Sequence, residues 1–362
     1  MNFDHRHYIP CLRWKQGEYQ AVSRLPDTAK RAFTPLIEVP GIGWDFENVK
    51  EAKTVDEHLA PFAKRVYDKW GNSPCFVDLK LIAPSERLAN GTHPVRFIFD
   101  ELRAMKCIAI PVIGLLGDRE YQQEIMAAST KDKNRICLRI TIEQAWKSTL
   151  KTEIDSLLST LGIYYNDCDL ILDLGAPNFV PLEGFSMAIQ QKMSKLPYLS
   201  DWQTFTVLGT SFPTAMAGIK KGGEIVPRHE WQLYKMLVAG LRKAKLRLPA
   251  FGDYAISHPQ VLCMDPRLLR PNATIKFTID DGWYIVKGDN VRDYGYEQFH
   301  GLSEHVLTSR HYRDSPVSWG KEYIRKCANK SVKTGNLTTW VQVGTNHHIE
   351  TVIRDIASFC AS

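Results

Sequence analysis

The sequence predicts a (β/α)8 barrel followed by an α+β extension. Short apolar runs alternate with helix-patterned segments eight times between residues 8 and 254. The runs are continuous rather than alternating, as expected of parallel strands buried on both faces. Most also end at or beside an ionisable residue, as strands do when they empty into a polar mouth. Phe205-Thr-Val-Leu208 followed by Gly-Thr-Ser-Phe-Pro213 shows the pattern: an apolar run, then small polar residues and a proline.

Strands are predicted over 8–14, 34–39, 75–79, 108–116, 135–140, 169–174, 205–209 and 248–254. Helices are predicted at 17–25, 56–70, 93–105, 121–128, 152–161, 185–196 and 227–241. In the second helix Leu59, Phe62, Val66 and Trp70 recur at helical spacing, Asp56 is the expected cap and Gly71 the stop. In the fifth, Ile154, Leu157, Leu158 and Leu161 share one face before Gly162. The last is expected to carry Pro227 and Glu230 in its first turn. An open doubly wound sheet would give the same local alternation. The chain has no G-x-G-x-x-G or P-loop run to favour that nucleotide-binding architecture.

Beyond Asp265-Pro-Arg267 the pattern changes. Segments 274–278 and 283–287 flank Asp280-Asp-Gly282 and read as a β-hairpin. Helices are expected at 296–307 and 320–330, a short strand at 340–343, and a closing helix at 348–359. The division is thus a barrel over 1–265 and an extension over 266–362 packed on it.

Composition narrows the classes. A 44% hydrophobic and 24% charged chain of 362 residues has ample material for a globular core. No apolar run reaches the roughly 20 residues of a membrane span. The N-terminus lacks an apolar export core, so a cytoplasmic location is expected. The net charge of +6 suits an anionic ligand without requiring nucleic acid. Lys220-Lys221 and Arg242–Arg247 are the densest basic runs, too sparse for a nucleic-acid footprint. The eight cysteines, Cys263 among them, form no C-x-x-C pair. Cys11, Cys75, Cys107 and Cys137 sit in or beside strands and read as small core residues.

Mapping strand ends collects the candidate site. Lys15 follows the first strand, Glu38 lies on the second, Asp78 and Lys80 on the third and Arg139 on the fifth. Asp173 lies on the sixth, Thr210 and Ser211 after the seventh, Asp253 and Tyr254 on the eighth. Two uses are open. The carboxylates of Glu38, Asp78, Asp173 and Asp253 are of the type that holds Mg²⁺. Alternatively they pair with Lys15, Lys80 and Arg139 around a zwitterion or a phosphate. The Thr210-Ser211 turn offers hydroxyls and N–H groups to an oxyanion. Arg228 and Glu230 are an expected anion contact with its counter-ion, and Arg267 lies in the loop after strand eight. Val343-Gly-Thr-Asn-His-His348 has two readings: in a loop, His347 or His348 enters a pocket as an acid–base group, or else Asn346 simply caps the closing helix.

Several of these stretches together resemble the phage T4 beta protein family. They include Tyr8-Ile-Pro10, Pro35-Leu-Ile-Glu-Val-Pro40, Val77-Asp-Leu79 and Asp169-Leu-Ile-Leu-Asp-Leu-Gly175. Gly209-Thr-Ser-Phe-Pro213, Pro227-Arg-His-Glu-Trp231, Gly252-Asp-Tyr254, Ser318-Trp-Gly320 and Val343-Gly-Thr-Asn-His-His348 continue the match in order. The resemblance implies a role in phage–host conflict, since such proteins occur in phages, prophages and bacterial islands near defence genes. It supplies no catalytic residues. Three functions are open at this level. The first is metal-assisted hydrolysis of a phosphorylated or nucleic-acid-related substrate; the second is a non-catalytic sensor that recognises a phage component or partner protein; the third, ranked lowest, is a DNA- or RNA-binding protein acting through Lys220-Lys221 and the 242–247 cluster.

Overall fold

A computed structural model of the chain describes residues 3–260, 265, 267–313 and 317–361. Cys263 and Pro266, at the expected boundary, lie outside the described residues. Eight parallel strands form a closed barrel: Tyr8–Leu12, Leu36–Glu38, Cys75–Asp78, Ala109–Ile113, Ile136–Thr141, Cys168–Asp173, Phe205–Leu208 and Ala250–Asp253. Closure is made by the first and eighth, with Tyr8 opposite Phe251 and Pro10 opposite Asp253. An open sheet is therefore excluded.

Strand alternation decides what each side chain meets. Ile9, Cys11, Leu36, Phe76, Ile110, Cys137, Ile171, Leu208 and Ala250 fill the barrel as one cluster. Tyr8, Ile37, Val77, Leu138, Leu172, Val207 and Phe251 point outward to the helices. Two residues along each of four strands from the inner apolar set stand Glu38, Asp78, Arg139 and Asp173. They therefore face inward at the carboxyl rim.

Helices differ from the sequence pattern where local chemistry intervenes. The expected 56–70 helix is two, Val55–Leu59 and Phe62–Lys69, broken at Pro61 and capped by Thr54 rather than Asp56. Pro227 does not open a helix. It ends a strand, Gly222–Pro227, and the helix is His229–Lys243. That strand arises in the loop after the seventh barrel strand. It pairs antiparallel with the hairpin Asn272–Ile279 and Gly282–Asn290 to make a three-stranded sheet.

The hairpin packs with helices Gln298–Thr308 and Trp319–Ala328 around a second core that includes Phe277, Phe299 and Trp340. The expected strand at 340–343 is absent. A single 25-residue helix, Leu337–Ala361, runs through that segment and through Asn346, His347 and His348. Its apolar and small residues serve both cores: Val343 and Trp340 in one, Ile349, Val352 and Ile356 in the other. Asn346 is not a cap. Its Nδ2 donates to the Ala21 carbonyl and its Oδ1 accepts from Gly320 N–H, so it ties two neighbouring helices to this one. Gly320 permits that approach, because a Cβ there would lie 2.2 Å from the Val343 carbonyl oxygen. Among the described residues no helix is long and apolar enough to cross a membrane.

Candidate functional site

The rim of the barrel is organised by one guanidinium. Arg139 NH1 donates to Glu38 Oε1 at 2.8 Å and Asp78 Oδ2 at 2.7 Å. Its NH2 donates to Asp173 Oδ2 at 2.7 Å and the Tyr254 hydroxyl at 2.9 Å, and Nε reaches the same Asp173 oxygen at 3.0 Å. All five N–H donors of the group thus have acceptors. The Tyr254 hydroxyl donates to Asp173 at 2.7 Å. Arg139, Glu38, Asp78 and Asp173 are all buried.

Charge balances locally, as burial requires. Lys80 Nζ lies 2.8 Å from Glu38 Oε1, and Arg13 Nε is 4.0 Å from Oε2. Three carboxylates therefore meet three cations. Burial alone would raise the Glu38 carboxyl, but Arg139 and Lys80 outweigh it and hold it at about 2. Burial pushes the Tyr254 phenol up, with Asp173 adding to it. The remaining Asp78 and Asp173 oxygens accept N–H groups of Lys80 and Gly175, both at 2.9 Å.

This arrangement does not fit Mg²⁺. The place a cation would take among the three carboxylates is filled by Arg139. Among the described residues no group of three His, Cys, Asp or Glu side chains has a metal-holding arrangement.

The other predicted residues separate. Asp253 and Tyr254 are neighbours and so face opposite sides. Tyr254 joins the rim; Asp253 points out of the barrel. There its Oδ1 accepts from Tyr8 OH at 2.5 Å and its Oδ2 from His348 Nε2 at 2.8 Å. Burial would raise the Asp253 carboxyl, and His348 and Tyr8 outweigh it to lower it. His348 Nδ1 meets the Thr278 hydroxyl at 2.9 Å. All four side chains are buried, so the set fastens the C-terminal helix and hairpin to the barrel wall. His347, one step around the helix, bonds Ser318 Oγ through Nδ1 and the Thr278 carbonyl through Nε2. In place of a loop that would put one histidine in a pocket, a helix sends the two in different directions.

The Thr210-Ser211 turn does present N–H groups to an anion, but the anion belongs to the protein. Ser211 N–H donates to Glu230 Oε2 at 3.0 Å, and Ser211 Oγ lies 2.7 Å from the same oxygen. Thr210 N–H goes to the Gly175 carbonyl and Phe212 N–H to Thr210 Oγ1. Burial pushes the Glu230 carboxyl up to about 7, against the pull of Arg228. Arg228 is wholly buried and donates to Asp355 at 2.8 Å and the Asp280 carbonyl at 3.0 Å, joining barrel helix to C-terminal helix. Lys15 is exposed at the start of the first helix. Arg267 is paired with Asp265 at 2.8 Å, outside any cluster at the rim.

Beside the Arg139 cluster lies a cavity of about 210 Å³, walled by Asp78, Lys80, His93, Leu116, Asp118 and Tyr121 among others. His93 was not among the candidates. Its signal was weak: a histidine before Pro94 reads as a helix start, and it is one. The ring Nδ1 accepts Val95 N–H at 3.1 Å, which leaves the proton on Nε2. That Nε2 is buried and has no hydrogen-bond partner. A small polar ligand in the cavity would meet an unsatisfied donor in its wall and an exposed ammonium, Lys80, at its edge.

Among curated proteins none matches the chain. A family model described as Beta protein matches residues 8–354. That match covers the barrel, the inserted strand, the hairpin and most of the closing helix, and the chain belongs to the Beta protein family.

Proposed function

We propose that this protein is a ligand-recognition barrel serving in phage–host conflict, and that its ligand is a small anionic or phosphorylated molecule held beside the Arg139 cluster. The unpartnered His93 Nε2–H in the wall of the cavity carries the reading, and the half-exposed Lys80 ammonium, which the ligand would share with Glu38, stands at the rim. A buried donor without an acceptor costs on the order of 1–3 kcal/mol, which a bound oxygen would return. The family supports the biological setting, and recognition without turnover is preferred over metal-assisted hydrolysis. Glu38, Asp78 and Asp173 already direct their charge at Arg139.

The reading is tested by calorimetric titration with inorganic phosphate and ribose 5-phosphate. His93→Asn keeps a side-chain oxygen to cap the helix while removing the Nε2–H. Lys80→Ala removes the rim charge. Each is expected to weaken binding by about tenfold, the loss of one charge-assisted contact. Equal binding by the parent and both variants would rule the site out.

A further inference from the structure

We propose a second anion site, away from the barrel rim, for a ligand that carries two or more linked phosphates. It is the groove of about 630 Å³ between the hairpin turn, segment 310–313, helix Trp319–Ala328 and the end of the C-terminal helix. Its size falls within the roughly 300–1,000 Å³ of small-molecule sites.

The charge pattern carries the inference. Arg310, Arg313, Lys321 and Arg354 all line this one concavity. Three aspartates line it too: Arg313 of this set is taken up by one of them, and the other two have cations from outside the groove. Asp280 pairs with Arg313 at 2.8 Å, Asp281 with Lys235 at 2.6 Å and Asp355 with Arg228 at 2.8 Å. Among the described residues no carboxylate stands within ion-pair distance of Arg310 or Arg354. Arg354 is instead held by neutral oxygens: Nε donates to the Glu350 carbonyl at 3.1 Å and NH2 to Thr351 Oγ1 at 3.0 Å. An arginine fixed in this way is oriented by neutral oxygens, with Asp355, Glu350 and Asp280 acting on it only from beyond ion-pair distance, which leaves its N–H groups for a phosphate.

His347 reports the same excess. It lines the groove, buried, and is held neutral with its pKa lowered to about 3, first by burial and then by Arg354 and Lys321. Arg354 is half-buried within the groove, while Arg310 is exposed on its edge. Cations at two depths suit a linked pair of phosphates better than a single one. The barrel rim offers the contrast, because there every guanidinium donor of Arg139 already has an acceptor.

Titration calorimetry with pyrophosphate on the full chain tests the site, with ATP as a second probe. One saturable site is expected, weakened about tenfold by Arg310→Gln and by Arg354→Gln, and unchanged by Lys80→Ala or His93→Asn. Arg354 is partly buried, so the exposed Arg310→Gln keeps the test sound if the former fails to fold. Binding should also weaken as salt is raised. No pyrophosphate heat at millimolar concentration, or binding indifferent to both arginine changes, would overturn the proposal. Loss in Lys80→Ala alone would overturn it too and return the ligand to the barrel.

Discussion

Asp253 and Tyr254 are consecutive residues, yet they belong to two different polar networks. Tyr254 turns into the barrel and completes the shell around Arg139. Asp253 turns out and is gripped by Tyr8 and His348. The inner network neutralises three carboxylates with cations that come from the barrel itself. The outer one needs a residue from a helix about a hundred positions later. Two polar clusters one residue apart thus do different work: one holds the rim of the barrel, the other fixes what lies against its wall.

Removing the cation from the inner network has the largest expected effect. Arg139→Met leaves three buried carboxylates around an apolar chain and should cost about 3–5 kcal/mol in urea unfolding. A variant as stable as the parent would mean that water reaches the rim and solvates those groups. In the outer network, His348→Ala strips a buried carboxylate of one partner. The expected loss is about 1–3 kcal/mol, in the same assay. If the two networks are separate, the double variant should lose the sum of the two. Gly320→Ala sharpens the contrast from the packing side, since its Cβ would strike the Val343 carbonyl and force the helices apart. About 1–3 kcal/mol is expected, with no change in phosphate binding at the barrel.

Titration separates the regions more gently. Glu38 is held at about 2, below its unfolded value, so it contributes stability above pH 4.5 that is lost as pH falls toward 2. Glu18 and Glu230 are pushed up to about 7 by burial, and their effect has the other sign. Between pH 4.5 and 7 the folded state holds protons that the unfolded chain has released, so stability declines as pH rises through that window. Each group contributes roughly 2–4 kcal/mol of that decline across the whole window. Glu18→Gln should flatten it in a series of unfolding curves. An unchanged slope would show that Glu18 ionises normally in the fold.

The barrel was legible because its signals are local. Apolar runs mark strands, and an i, i+2 step from Leu36 to Glu38, Phe76 to Asp78, Cys137 to Arg139 and Ile171 to Asp173 puts one charged layer above one apolar layer. The convergence of Glu38, Asp78, Arg139, Asp173 and Tyr254 followed from that step. Asp253 breaks it by one residue and so faces elsewhere. The histidines were misplaced because Trp340-Val-Gln-Val343, rich in β-branched and aromatic residues, reads as a strand. Packing against two cores overrides that preference and makes it helix. His93 escaped notice because its role depends on an atom left without a partner, and no sequence pattern records that. The strand Gly222–Pro227 escaped for a related reason: its pairing partners lie some sixty residues ahead.

That pairing has a consequence for synthesis. While the ribosome is still short of residue 282, the segment Gly222–Pro227 has no edge to join, and Asp253 has no histidine to meet. The barrel strands are all available by then, but one loop and one buried acid wait for the last quarter of the chain. A nascent chain stalled there would expose an unclaimed strand, the kind of edge that recruits chaperones or another unfinished copy.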